Sequence, residues 1–182
     1  MFDKAKSRRG FLGLGLSAAA TLVVSNPVEA AVRRMPERHI HLYNTHTGET
    51  LKSVYWAEGH YQTKSIAQIS RFLRDHRNNQ VHPMDPKLLD MMNSVQRKMG
   101  AKGPIHIICG YRSPATNAIM ASLSDGVATQ SLHTQGKAVD IRLPGHATRH
   151  VGKAALSLKA GGVGIYPASD FVHIDTGRVR TW

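Results

Sequence analysis

An α+β fold, with helices on one face of a mainly antiparallel sheet, is the class this sequence predicts, and three observations predict it. Short stretches of period-two alternation are punctuated by glycine turns. Two longer stretches carry apolar residues at helical spacing behind recognisable helix starts. The second half alternates strands with shorter helices and closes on two adjacent strands. At 182 residues the chain suits one modest domain with a single hydrophobic core.

The elements follow in order. His39 to Trp56 reads as two strands about Thr45-His46-Thr47-Gly48, with Ile40, Leu42, Val54 and Trp56 alternating and Gly48 supplying the turn. Thr63 to His76 carries Ile66, Ile69, Phe72 and Leu73 at helical spacing, with Thr63 as its expected N-cap. Asp85-Pro86 opens a second helix, because proline at the first helical position gives up no needed N–H. Its buried stripe is Leu88, Leu89, Met92, Val95 and Met99, and Gly100 ends it. A strand over 104–109 leads to Gly110-Tyr111-Arg112-Ser113-Pro114, where Ser113 and Pro114 start a third helix. Lys137 to Leu143 alternates as a strand, and Thr148 to Lys159 is helical. Gly162 to Pro167 and Phe171 to Thr176 are the closing strands.

The first thirty residues stand apart. Ser7-Arg8-Arg9-Gly10-Phe11-Leu12 sets paired arginines before an apolar run from Phe11 to Val24. Pro27 and the small residues Ala30-Ala31 then form an exit. Such an order is that of a signal peptide, and the run falls short of the ~20 residues that span a bilayer. The Arg-Arg-x-Phe-Leu pattern resembles the twin-arginine signal, the alternative being an ordinary secretory signal that contains Arg-Arg. Residues 1–30 are therefore expected to be a leader, residues 31–37 a loose join, and 31–182 a single periplasmic domain without a stable membrane anchor once the leader is cleaved.

Removing Lys4, Lys6, Arg8 and Arg9 together with Asp3 and Glu29 takes the net charge from +12 to about +10. A basic surface of that size suits nucleic acid in a cytoplasmic protein. Export, and the lack of an aromatic-rich basic stripe, argue against that partner. An envelope polyanion fits instead, and peptidoglycan carries free carboxylates. The single cysteine, Cys109, excludes an intramolecular disulfide. Within Pro104-Ile105-His106-Ile107-Ile108-Cys109 it reads as an inert thiol on a buried strand.

Most of the eleven histidines have no partner at motif spacing. His39, His41, His46, His60, His76, His82, His106, His146 and His150 read as surface or packing residues. His133 and His173 differ. On the strand through Asp140, Val139, Ile141 and Leu143 share one face while Ala138, Asp140 and Arg142 share the other. Gly136 permits the reversal that folds His133 back toward Asp140. On the last strand Phe171, His173 and Asp175 lie opposite Val172 and Ile174. Two imidazoles and a carboxylate leave zinc an open position, the ligand count of a catalytic site, although the spacing alone is not diagnostic.

Gly110-Tyr111-Arg112-Ser113, then Ser131-x-His133-x-x-Gly136-x-Ala138-x-Asp140, then Val172-His173-Ile174-Asp175 resemble the ordered motifs of the zinc D-alanyl-D-alanine carboxypeptidase and murein endopeptidase superfamily, with its hedgehog-like fold. The nearest resemblance is to the exported murein endopeptidase K group, and it covers the whole mature chain. It implies zinc held by His133, Asp140 and His173, with Arg112 stabilising the developing oxyanion. Many relatives place a glutamate three residues before the last ligand, to serve as base; here that position is Asp170. Strand parity sets Asp170 opposite His173, whereas Asp175 shares the face of His173 about 7 Å along the strand. Both stay open as the base, and Asp175 also as an orienter of His173.

The function implied is hydrolysis of peptidoglycan cross-links, between diaminopimelate residues or between D-alanine and diaminopimelate. The rivals are a carboxypeptidase trimming terminal D-alanine, a zinc-stabilised domain that binds murein without cutting it, and a basic nucleic-acid-binding protein with an uncleaved leader.

Overall fold

The computed structural model describes residues 36–182 except 125 and 127, so the leader expected over 1–30 lies outside the described residues. Eight strands form one sheet: β1 (Arg38–Asn44), β2 (Thr50–Ala57), β3 (His60–Tyr61), β4 (Ile105–Cys109), β5 (Ala138–Arg142), β6 (Gly162–Tyr166), β7 (Phe171–Asp175) and β8 (Arg180–Thr181). Their spatial order is β3-β2-β1-β4-β5-β7-β6-β8. Pairing is antiparallel except between β1 and β4 and between β6 and β8. Among the described residues there are four α-helices: α1 (Thr63–Phe72), α2 (Pro86–Lys98), α3 (Pro114–Leu123) and α4 (Thr148–Leu156). No described helix is long and apolar enough to cross a membrane.

Alternation divides the sheet into a core face and an open face. Ile40, Leu42, Ile105, Ile107, Val139, Ile141, Val172 and Ile174 all join the core, against Leu88, Leu89, Met92 and Val95 of α2 and Val151 and Ala155 of α4. Helices α1, α2 and α4 therefore cover one face, as expected of the α+β class. Two caps match the sequence reading. Asp85 accepts from the Lys87 N–H at 3.0 Å and Ser113 accepts from the Thr116 N–H at 3.2 Å, each ahead of a proline at the first helical turn.

Two expectations about α1 need correction. Its cap residue is Gln62, without a side-chain bond, and Thr63 is already helical. The helix also ends at Phe72 instead of running to His76. The Leu73 carbonyl accepts from the Tyr111 N–H at 2.7 Å, and the chain then turns about Asp75. Gly110 packs so closely on Leu73 that a methyl group there would overlap its backbone. Tertiary pairing thus outweighs the helical stripe, and it joins the end of α1 to the turn that carries Arg112.

Candidate metal centre

The open face gathers its polar groups where β5, β7 and β4 run side by side. Asp140 pairs directly with His173 across β5 and β7, so their side chains project together from the same face. His133 arrives from a 3-10 turn, Leu132–Gln135, capped by Ser131, whose Oγ accepts from the His133 N–H at 3.3 Å. Gly136 closes that turn at φ +66°, where a side chain would also overlap the Pro83 carbonyl. His133, Asp140 and His173 are 3%, 6% and 8% exposed.

Their hydrogen bonds fix which ring nitrogens carry lone pairs. His133 Nδ1 lies 2.8 Å from the Gly110 carbonyl, which can only accept, so Nδ1 carries the proton. His173 Nε2 lies 3.0 Å from Asp175 Oδ2 and likewise donates. The other two nitrogens, His133 Nε2 and His173 Nδ1, are therefore acceptors, and they face each other at 3.1 Å. Asp140 Oδ1, a third acceptor, lies 2.9 Å from His173 Nδ1 and 3.3 Å from His133 Nε2. With both rings neutral, three buried acceptors converge. Tetrahedral zinc with bonds of about 2.0–2.1 Å separates its ligands by about 3.3–3.4 Å, so the donor set fits that ion.

The local electrostatics report the same convergence. Burial opposes charge on His133, but Asp140 outweighs it and raises the imidazole well above its ordinary pKa. Burial likewise disfavours the Asp140 carboxylate, yet His133 and His173 hold it well below the usual range.

Asp175 lies behind the site. It is fully buried and accepts five hydrogen bonds, from His173 Nε2, the Gly162 and Gly177 N–H groups, and both Arg180 terminal nitrogens. Every oxygen is committed, and the contact to His173 is on the ring edge away from Asp140. Asp175 thus contacts the outer edge of the His173 ring and has no oxygen left over. Asp170 sits at the turn before β7, more than half exposed, with Oδ2 2.7 Å from Arg142 Nε and Oδ1 accepting from the Thr148 hydroxyl at 2.6 Å. It is not among the residues that line the groove over the three acceptors.

That groove encloses about 460 Å³. Arg112 lines it, 8% exposed, with Nη1 donating to Asn117 Oδ1 at 3.2 Å and Nη2 3.6 Å from Cys109 Sγ. Its Nε is buried without a partner among the described residues. Among the described residues no carboxylate pairs with this guanidinium, which leaves it available to an anion. Tyr166, Phe171 and Trp182 form an aromatic wall, with Tyr166 stacked on Phe171 at 4.6 Å and the Trp182 indole donating to the Tyr166 hydroxyl at 2.6 Å.

Two groove residues escape sequence reasoning. Cys109 is not an inert buried thiol: it is partly exposed, and its sulfur lies within 4.8 Å of the His133 and Asp140 donor atoms. Burial raises the thiol pKa, but His133 and Arg112 bring it below the ordinary value. A bulge causes the difference. Ile107 pairs with Ile141 but Cys109 with Asp140, so one extra β4 residue turns Cys109 onto the open face. His46, read as a surface or packing residue, stacks on His76 at 4.0 Å and also lines the groove.

A protein-family model described as peptidoglycan L,D-endopeptidase MepK matches residues 32–182. Peptidoglycan L,D-endopeptidase MepK of Escherichia coli strain K12 is 40% identical over 176 residues, covering 97% of each chain. The protein of Shigella flexneri with the same name shows the same identity and coverage. The Haemophilus influenzae protein named "Probable peptidoglycan L,D-endopeptidase MepK" is 39% identical over 178 residues, 97% of this chain and 96% of its own. The chain belongs to this family of peptidases.

Proposed function

We propose that this member of the L,D-endopeptidase family is an exported, zinc-dependent murein hydrolase that cuts the peptide cross-links of peptidoglycan. The observation that carries the reading is the convergence of His133 Nε2, His173 Nδ1 and Asp140 Oδ1, with both rings neutral three buried acceptors 2.9–3.3 Å apart. We assign the zinc to these three atoms. The bound ion would polarise the scissile carbonyl and lower the pKa of its water to about 7.

The remaining chemistry belongs to the chain. Gly110 and Asp175 hold the two imidazoles in the tautomers that aim lone pairs inward. Arg112, always charged and without a carboxylate partner among the described residues, stabilises the oxyanion that develops on the substrate carbonyl. Asp170 and Asp175 are both engaged elsewhere. The aromatic wall of Tyr166, Phe171 and Trp182 flanks the peptide.

The names of the relatives narrow the bond. A cross-link between two diaminopimelate residues joins an L-centre carbonyl to a D-centre amine, whereas one from D-alanine to diaminopimelate joins two D centres. An L,D-endopeptidase therefore cuts the former. The arginine pair and apolar run of residues 1–30 support export by the twin-arginine route to the periplasm, where that substrate lies.

Digestion of purified sacculi followed by muropeptide chromatography tests the proposal. Loss of diaminopimelate-linked dimers is expected, abolished by a chelator and restored by zinc. Shortened monomers would indicate a carboxypeptidase, and an unchanged profile a binding domain. His133→Ala should leave the dimers intact; retained activity would refute the metal assignment.

A further inference from the structure

A second arginine, Arg77, lines the groove and, unlike four other arginines of the protein, pairs with no carboxylate among the described residues. Arg38, Arg74, Arg142 and Arg180 each pair with a carboxylate. Arg77 is exposed and lines the groove, yet its guanidinium makes no ion pair or hydrogen bond among the described residues. The one acid among the described lining residues is Asp140, already committed to His133 and His173.

The backbone beneath Arg77 is firmly held. Asp75, 1% exposed, accepts from the Arg77 N–H at 3.0 Å through one oxygen and from the Ser113 N–H at 2.9 Å through the other. Asn78 donates to Ser113 Oγ at 2.7 Å, and His76 stacks on His46 with only 7° between the rings. One buried carboxylate thus ties the Arg77 loop to the turn that carries Arg112. An arginine on a fixed base with an unpaired fork costs less entropy to engage than one on a mobile loop.

We propose that Arg77 is a specificity residue that grips a substrate carboxylate next to the scissile bond, resting on the reading of this groove as an L,D-endopeptidase site. In a diaminopimelate cross-link the scissile nitrogen sits on a D-centre carbon that also bears a free carboxylate. Arg112 faces the developing oxyanion, so the neighbouring carboxylate calls for a separate cation. A forked guanidinium meets a carboxylate through two parallel hydrogen bonds. Arg77 thereby selects leaving groups with a carboxylate beside the amine over those with an amide or nothing.

The test uses the zinc-loaded protein and two synthetic probes: the L-Ala-D-Glu-diaminopimelate tripeptide, and the same peptide amidated at the D-centre carboxylate. Calorimetric binding should be weakened about 10- to 100-fold by that amidation in the unsubstituted chain. Arg77→Gln should bind the carboxylate form that much more weakly and lose the discrimination, while Arg77→Lys keeps part of it. With cross-linked tripeptide dimers, Arg77→Gln should raise KM by a similar factor and leave kcat within about threefold. Discrimination that survives in Arg77→Gln, or an equal loss on both probes, overturns the inference. Dimers that remain uncut while carboxylate discrimination depends on Arg77 would overturn the hydrolase reading and leave this one standing. Dimers cut with discrimination independent of Arg77 would do the reverse.

Discussion

Replacing Asp175 with Asn changes one atom's chemistry at the back of the metal centre. Its Oδ1 accepts from Gly162 N, Gly177 N and Arg180 Nη1 at 3.1, 2.8 and 3.0 Å, and its Oδ2 from His173 Nε2 and Arg180 Nη2 at 3.0 and 2.8 Å. The Asn amide oxygen keeps more partners at the Oδ1 position, so the NH2 group falls where Oδ2 was, facing two donors. His173 relieves the clash by accepting through Nε2, which moves its proton to Nδ1. That is the nitrogen directed at Asp140 and His133. Restoring the lone pair costs about one charge-assisted hydrogen bond, 1.5–3 kcal/mol, or a zinc affinity about 10- to 100-fold lower, as for other outer-shell partners. Arg180 also loses its counter-charge, but at 30% exposure it is partly solvated, so the loss of apo-protein stability is held to about 2 kcal/mol. Competition with a chromogenic chelator reads the zinc constant, and urea unfolding reads the stability. Arg180→Gln is the control: it removes the counter-charge but spares the bond to His173, so it should lose stability without a tenfold loss of zinc. A zinc constant for Asp175→Asn within threefold of the unsubstituted chain, with folding intact, would refute the tautomer argument.

Arg112→Gln should lower kcat by about 10²–10³ while zinc stays bound, because the oxyanion loses a buried cation; single-turnover hydrolysis of cross-linked dimers checks this. Gly136→Ala would put a methyl group against the Pro83 carbonyl at φ +66°, and urea unfolding should show a loss of about 3 kcal/mol. Asp75 gives the pH prediction. Burial works against its charge, but Thr116 and the N–H groups of Ser113 and Arg77 outweigh it and lower its pKa. A folded pKa below the unfolded one of about 3.9 contributes stability above that pH, lost as pH falls through the folded value. Asp75→Asn should thus cost about 2 kcal/mol at pH 7, and chemical unfolding from pH 6 to pH 3 should show the gap closing. A constant gap would mean that the carboxylate charge is not what holds the loop.

The metal centre was half legible in sequence because alternation is a local signal. Val139 and Ile141, and Val172 and Ile174, announce the core face of their strands, and that alone turns Asp140 and His173 outward. That the two stand opposite each other is a matter of register between strands thirty residues apart, which period alone does not carry; the resemblance to the zinc peptidases supplied it. The choice between Asp170 and Asp175 stayed open for the same reason. Their roles depend on Arg142, Thr148, Gly162 and Arg180, partners that no spacing announces. Cys109 was misread because one bulged residue reverses strand parity. Arg77 follows directly on a helix expected to run to His76; the helix in fact stops at Phe72, where the Leu73 carbonyl is claimed by Tyr111, and the loop thus formed carries Arg77 to the groove.

The same alternation explains why the three acceptors stay together. Lone pairs facing each other at 3.1 Å repel, and a free chain would part them. His173 and Asp140 sit on strands whose opposite face is Val139, Ile141, Val172 and Ile174, each 0–1% exposed. Sliding β7 by one residue against β5 would separate the donors but turn Val172 and Ile174 to water, at about 1.5–3 kcal/mol each. The repulsion between the neutral groups is therefore held in place by the core, and a proton or a metal cation relieves it. An ion held as proposed would bind with little rearrangement, because the sheet has already fixed the positions of the three side chains.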